Sequence, residues 1–461
     1  METSAVFEVR SAPSRYPTEE AILLKTTPAV LKGSGAAALL SISSQLIWGA
    51  QGFITFVIAG RLLPQKEFGF VVVANAILFG CQCLLMGPVT NPTLRFGAIS
   101  RKSLSITYLM YCAVTAIICS GFLLGSNQIG MLIDHDPTFV TLIRYLSIPF
   151  ATTCFYAVQK LVLFARMRYR TVLTMDILFA ATNVTALVVL HMSGKLTSAI
   201  GFYMARSGAA LIGLIPALLL YWLPRSKPTA QEDQPFDLGG YFQHSKYSSI
   251  AMFSAYGQGQ VDVLAVGHFL SPLSAAAYGA AKVFYSGMTM VTTGLIMVVL
   301  PASSRLAASG AEGLYRFYRR ALLLAYALLL PGTAVLAVFA GSVVHLCFGG
   351  RYADAVPIVR IFCIAALVLP VSSITDAVAN GAGWFRSACI AAVTGGALGI
   401  AMSLYLPRVM GMTGAALAPV AASVGSASVL VSLTWGRLMA SNRSRHETTQ
   451  AVALPVQSSE G

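Results

Sequence analysis

Apolar residues run along this chain in unbroken stretches near twenty long, and short polar turns between them hold most of the charge. A helix rising 1.5 Å per residue needs about 20 such residues to cross ~30 Å of hydrocarbon. Barrel strands would instead alternate over ~10 residues, so the pattern predicts helices. The runs place spans at 36–60, 69–91, 104–125, 138–163, 172–192 and 198–222. After a polar, Pro-containing stretch from Pro224 to Lys246 come 247–269, 274–300, 321–342, 356–380, 386–406 and 412–436. The expected architecture is an all-α polytopic membrane protein of about twelve transmembrane helices in two pseudo-symmetric six-helix lobes, 36–222 and 247–436. Tails 1–35 and 437–461 flank the lobes, and a linker over 223–246 joins them.

The pseudo-symmetry rests on a repeat. Gln51-Gly52-Phe-Ile-Thr-Phe-Val-Ile-Ala-Gly60 aligns, at a constant shift of 207, with Gln258-Gly259-Gln-Val-Asp262-Val-Leu-Ala-Val-Gly267. Both copies then pass a proline (Pro64, Pro272) and reach an aromatic-Gly pair, Phe68-Gly69 and Tyr278-Gly279. Further on, Val140-Thr-Leu-Ile-Arg144 echoes Val356-Pro-Ile-Val-Arg360.

Composition agrees: 56% of residues are hydrophobic and 10% charged, against about 25% charged in soluble domains. The first apolar run starts near Ala36, behind a polar, partly basic tail, with no short apolar segment and cleavage site before it. With that tail inside, twenty-one of the 31 Lys and Arg residues fall in inner segments and five in outer loops. Basic residues favour the cytoplasmic side, so both termini are expected in the cytoplasm. The same bias accounts for the +14 net charge without a nucleic-acid partner. The eight cysteines lie in or beside apolar runs and read as small buried hydrophobes; neither metal nor other cofactor is implied. Outer loops are too short for a catalytic domain, so function has to sit within the bundle and no enzyme is expected.

Ionisable side chains at mid-membrane are costly and usually face a cavity or a partner. The basic set is Arg144, Lys160, Arg206, Lys282 and Arg360; the acidic set is Asp176, Asp262 and Asp376. Five cations against three acids suit an anionic headgroup better than a drug cation. Snorkelling to an interface is the other reading of Arg144, Lys160 and Arg360, whereas Arg206 reads as interior and Lys282 as lining the outer mouth. Ser44, Trp48, Gln51 and Thr55 share one helix face in the first span, as do Ser254, Gln258 and Asp262 in the seventh. Such stripes serve interhelical hydrogen bonds or a cavity between repeats. Asp134-His135-Asp136 looks like a glycosyltransferase Asp-x-Asp signature but reads as a solvated loop before Pro137. His191, His268 and His345, near outer span ends, read as interfacial packing.

Several of these stretches resemble one family. Gly60-Arg-Leu-Leu-Pro-Gln-Lys-Glu-Phe-Gly69 resembles the first outer loop of the bacterial polysaccharide transporter (Wzx-like) flippases. Val261-Asp-Val-Leu-Ala-Val-Gly-His-Phe-Leu-Ser-Pro is similar to their seventh span and the loop after it, and Pro301 with Arg305 to the end of their eighth. Leu346-Cys-Phe-Gly349-Gly-Arg-Tyr352-Ala-Asp-Ala-Val-Pro357 looks like their Phe-Gly-x-x-Tyr loop, and Gly411-Met-Thr-Gly414 their last outer turn. The likeness covers about 36 to 436. It implies the MATE-like fold of the multidrug/oligosaccharidyl-lipid/polysaccharide (MOP) superfamily, two six-helix lobes around a central cavity. It also implies a substrate, an oligosaccharide repeat unit on a polyprenyl diphosphate carrier, moved across the bacterial inner membrane for exopolysaccharide or O-antigen assembly, with other assembly proteins as partners.

On that reading Arg206, Arg144, Arg360, Lys282 and Lys160 are candidates to meet the diphosphate. Gln51, Gln258, Trp48 and Tyr256 would meet sugars, and Asp262 would couple an ion. Drug or cation antiport on the same fold would want acids to dominate the cavity. A membrane glycosyltransferase or polymerase would want a large outer domain. A scaffold would leave the buried charges unexplained, and peptidoglycan-precursor flippases usually carry more spans.

Overall fold

A computed structural model describes residues 19–89, 101–133, 136–166, 168–222, 238–308 and 313–452. Most of the expected linker, both tail ends, Arg95 and the Asp134-His135 pair lie outside these. Among the described residues every regular element is a helix. The first half holds α1 (Glu19–Leu62), α2 (Gln65–Met86), α3 (Arg101–Leu124), α4 (Ser126–Ile133), α5 (Pro137–Tyr145), α6 (Ser147–Ala165), α7 (Tyr169–Met192), α8 (Ala199–Gly213) and α9 (Ile215–Trp222). The second holds α10 (Leu238–Gly259), α11 (Val261–Phe269), α12 (Pro272–Ala308), α13 (Leu314–Val338), α14 (Ala340–Phe348), α15 (Ala355–Gly381) and α16 (Phe385–Val452).

Among the described residues nine stretches are long and apolar enough to cross a membrane. They are Gln65–Met86, Leu104–Leu124, Pro137–Ala165, Tyr169–Met192, Ala199–Leu220, Pro272–Ser304, Leu314–Val338, Ala355–Gly381 and Phe385–Gly436. The last is broken at Gly411, whose φ of 62° no other residue type adopts cheaply; the break falls between the expected spans 386–406 and 412–436. The remaining two expected spans lie on α1 and on α10–α11. The chain is thus a multi-pass helical membrane protein, and large apolar side chains such as Leu109, Ile117 and Val338 point outward, where lipid replaces water.

The halves meet where α1 and α2 pack on α10, α11 and α12. The repeated aromatic-Gly pairs make that crossing. A Cβ on Gly69 would lie 1.9 Å from the Pro272 carbonyl oxygen, and one on Gly279 would lie 2.3 Å from Val72. Each half therefore contributes one glycine where α2 and α12 touch, the small-residue contact that lets membrane helices approach closely. Phe68 and Tyr278, the aromatic members, are fully buried.

Near this crossing, Gly349 and Gly350 turn the chain through left-handed φ of 69° and 78°. That turn lets Arg351 Nη1 donate to the carbonyls of Arg61 (3.1 Å) and Leu63 (3.3 Å), while Gln65 Nε2 donates back to Arg351 O at 2.6 Å. Tyr352 Oη donates to Gly60 O at 3.1 Å. Lys66 then pairs with Asp136, the N-cap of α5. Glu67 accepts from the Ala199 amide at 2.7 Å, a carboxylate on the positive end of α8. Gln65, Lys66 and Glu67 thus tie the start of α2 to three separate segments. Asp136 is held at about 2, below the ordinary carboxyl value, first by the hydrogen bond from Lys66 and then by Thr138.

Candidate functional site

A cavity of about 250 Å³ lies between the halves, with walls from α1, α2, α6, α8, α12 and the α10–α11 junction. Its polar lining includes Gln51, Asn75, Arg206, Gln260 and Lys282, and its largest aromatic is Trp48. The position follows from local sequence. The α1 stripe of Ser44, Gln51 and Thr55 is buried, and Thr55 Oγ1 returns its proton to Gln51 O at 2.9 Å. The Gln51 amide is thereby left beside the cavity, with one 3.5 Å contact to Thr55.

Arg206 enters from the middle of α8, the helix whose N-terminus Ser198 and Glu67 hold. Its Nη1 donates to Asn75 Oδ1 at 3.4 Å, and its Nε is buried without a partner. Among the described residues no carboxylate pairs with it. A half-buried guanidinium with a buried, unused Nε–H can receive an anion, since unmade charged hydrogen bonds are the expensive kind.

Lys282 is built differently. The expected span 247–269 is interrupted at Gln260, which has φ −139° between α10 and α11. The break follows Tyr256-Gly-Gln-Gly-Gln260, and it places Asp262 in the first turn of α11, at 1% exposure. Lys282 Nζ lies 2.5 and 2.6 Å from the two carboxylate oxygens of Asp262. Tyr278, one turn before Lys282 on α12, has its Oη 2.5 Å from Asp262 Oδ2 and 3.2 Å from the Ala415 carbonyl. Lys282 lines the cavity; its partner sits behind it. Discontinuous helices at mid-membrane are where transporters commonly build their sites.

The first half repeats the chemistry on other helices. Lys160 Nζ on α6 lies 2.9 Å from both oxygens of Asp176 on α7, and Tyr156 Oη donates to the same carboxylate at 2.6 Å. Ser44 of α1 donates to it as well. Lys160 is not a lining residue; it sits 4.9 Å from the ring centre of Trp48, which is. Trp48 in turn packs on Tyr156 and Phe179.

Of the expected site residues, the structure thus brings Trp48, Gln51, Arg206 and Lys282 to one cavity, with Asp262 behind Lys282 and Lys160 behind Trp48. Four others lie elsewhere. Arg144 is exposed in the last turn of α5, with Nε 3.3 Å from Ser126 Oγ. Arg360 is exposed near the start of α15. Gln258 donates to Ala392 O of α16 at 3.2 Å, and Tyr256 packs on Phe79 and Gly80. Asp376 accepts from Asn380 at 3.0 Å, one turn on. The surplus of five cations over three acids is therefore a local matter: two lysines are neutralised by aspartates, two arginines sit at exposed positions, and Arg206 is the cavity cation without an acid. Lys282 lines the central cavity, where the outer mouth was expected.

Sequence reasoning missed Asn75, Gln260 and the two tyrosines. A signal for the tyrosines was there: Tyr156-x-x-x-Lys160 and Tyr278-x-x-x-Lys282 put each pair on one helix face. Asn75 stood alone in the run Phe70-Val-Val-Val-Ala-Asn-Ala.

Comparison with known proteins supplies the family. A sequence profile described as "polysaccharide biosynthesis protein" matches residues 58–357. No curated protein matches the chain. Among solved structures it is similar to an inward-facing multidrug resistance MATE family transporter of the MOP superfamily, at TM-score 0.70 and 14% identity, over 88% of this chain and 98% of that one. It is similar to the lipid II flippase MurJ in an inward closed conformation, at TM-score 0.65 and 13% identity, over 85% and 86%. A third is a Pyrococcus furiosus MOP transporter whose binding pocket of reverse polarity suggests a different function, at TM-score 0.61 and 15% identity, over 88% and 95%. At such identities these likenesses establish the fold alone, the one these three proteins share.

Proposed function

The chain belongs to the polysaccharide biosynthesis family, and on that premise we propose that it is a flippase for oligosaccharide repeat units carried on a polyprenyl diphosphate. It works in the bacterial inner membrane with both termini in the cytoplasm, as the bias of basic residues indicates. The observation that carries the reading is Arg206, a guanidinium in a central cavity with a buried, unused donor and, among the described residues, no carboxylate paired with it. Lys282 faces the same space from the other half. A diphosphate cannot cross hydrocarbon unaided; Arg206 and Lys282, with Asn75 and Gln51, replace its hydration while the polyprenyl tail stays in lipid. Trp48 offers an apolar wall to the first sugar. Neither Arg144 nor Arg360 is needed for this, and Tyr256 and Gln258 reach no cargo in the present conformation.

The cavity, at about 250 Å³, is below the ~300–1,000 Å³ of drug-sized sites. It accommodates the headgroup; carrying an oligosaccharide requires the two lobes to part, by alternating access. A drug-cation antiporter is disfavoured by the same charges, since Asp262 and Asp176 are each already held by a lysine. The MurJ neighbour is a lipid II flippase, which supports a lipid-linked cargo on this fold. The test is polymer export in a strain lacking the gene. Arg206→Ala, at normal membrane abundance, is expected to abolish export and Arg206→Lys to restore part of it; full export by Arg206→Ala would refute the assignment.

A further inference from the structure

Lys282 has two claims on it. Both Asp262 oxygens hold it, yet Lys282 lines the space where an anion would bind. A diphosphate brings more negative charge than one carboxylate, and Arg206 on the opposite wall draws it in. Once Lys282 turns to phosphate, Asp262 is left at 1% exposure without its counter-ion, a state that buried carboxylates leave by taking a proton. Its position in the first turn of α11 favours the anion, but that pull is weaker than the penalty for a lone buried charge.

The structure already holds the hydrogen bonds for the protonated form. Tyr278 Oη has one proton and two acceptors in reach, Asp262 Oδ2 at 2.5 Å and the Ala415 carbonyl at 3.2 Å. With Asp262 ionised, the hydroxyl serves Asp262. With Asp262 protonated, the acid donates to the tyrosine oxygen and the hydroxyl turns to Ala415. The elements packed on Asp262 bring these titratable groups: Lys282, Tyr278 and Tyr285 from α12, and Tyr256 from α10. From α16 comes the Ala415 carbonyl, and α2 sets Val73 against Gly267 of α11. Among the described residues the Lys160–Asp176 pair has no such alternative: Asp176 takes a second hydroxyl, Ser44, where Tyr278 has a spare carbonyl.

We propose that a diphosphate headgroup entering the cavity takes Lys282 from Asp262, and that Asp262 takes up one proton in exchange, so that headgroup and proton are bound together. An O–H bond forms on the Asp262 carboxylate with a proton given up by an acid in bulk solution and relayed through cavity water. Lys282 keeps its three protons and only changes partner. This rests on the proposed function, and it names the ion that binds with the cargo.

The experiment titrates the purified full-length protein in weakly buffered detergent with farnesyl diphosphate and, separately, inorganic diphosphate, reading binding and proton uptake together. Wild type is expected to take up about one proton more per ligand than Asp262→Asn, and its affinity to fall up to tenfold per unit rise in pH relative to that variant. A matching difference with inorganic diphosphate assigns the exchange to the diphosphate group itself. A difference confined to farnesyl diphosphate assigns it to a headgroup delivered from lipid. Either supports the proposal. Equal proton uptake by two proteins that both bind overturns it and leaves the flippase reading standing, whereas no binding of either ligand by wild type removes the flippase reading too. Should Asp262→Asn not fold, infrared difference spectra of wild type decide: a new protonated-carboxyl band on ligand addition supports the exchange, and its absence overturns it.

Discussion

The two halves share a sequence repeat, yet they use it differently. At Gln51-Gly52 the helix α1 continues unbroken; just after Gln258-Gly259 the chain breaks at Gln260, and Asp262 falls in the first turn of a new half-helix. Gln51 faces the cavity, while its counterpart Gln258 is spent on the Ala392 carbonyl. Each half also holds a Tyr-x-x-x-Lys pair clamping one aspartate. In the first half that clamp joins three helices behind Trp48, with four donor contacts converging on Asp176. In the second, the lysine opens onto the cavity and the tyrosine has a second acceptor. The same three residue types thus make a fixed joint on one side and an exchangeable one on the other. Access and a spare acceptor separate them, not composition.

The largest expected effect breaks the fixed joint. Asp176→Asn strands Lys160 without a counter-charge, which at a buried pair costs about 3–5 kcal/mol. Thermal unfolding in detergent should show a marked loss, with reduced folded yield. Asp262→Asn should lose clearly less, because Lys282 can turn to cavity water. Equal losses would erase the distinction between the two clamps.

A smaller effect probes the crossing of α2 and α12, where overpacking typically costs about 1–3 kcal/mol. Gly69→Ala meets a backbone carbonyl at 1.9 Å and must part the helices; Gly279→Ala meets both methyls of Val72, at 2.3 and 2.6 Å, a clash with a stiff side chain and not with backbone. The first should therefore destabilise more in the same assay. The reverse order would mean that the crossing is not held as the two glycines indicate.

Smallest is the Lys66–Asp136 tie. Lys66 is 54% exposed, and surface pairs contribute about 0–1 kcal/mol. Because Asp136 is held at about 2, against an ordinary 3.8, its contribution is full above about pH 4 and fades as pH falls towards 2. Asp136→Asn should therefore shift stability slightly at pH 7 and by less at pH 2, where the folded carboxyl is half protonated, the effect vanishing only below that pH. A large shift at pH 7 would give this tie a weight that exposure should deny it.

Much of this was legible beforehand. Apolar runs located the helices because lipid demands unbroken apolar length, and Gly411 and the repeated aromatic-Gly pairs marked a real break and a real crossing. Arg206 stood out because its neighbours in Ala199-Ile-Gly-Phe-Tyr-Met-Ala left it nowhere polar to go. What the run of residues could not give was partnership. Asp262 and Lys282 are 20 positions apart, Asp176 and Ser44 132 apart, and only tertiary packing decides that two lysines are neutralised and one arginine is not. Arg144 falls on the exposed side of its span, the snorkelling position that the sequence left open beside a cavity one, because which face of a helix meets a cavity is set by packing.

The central claim is that Arg206 receives the diphosphate. Its most direct measurement is the affinity of the purified protein for farnesyl diphosphate, wild type against Arg206→Gln, at one pH and salt concentration. Removing one partner of a buried charge contact costs about 2–5 kcal/mol, so affinity should fall at least tenfold with the fold intact. Unchanged affinity in a folded Arg206→Gln protein would contradict the account.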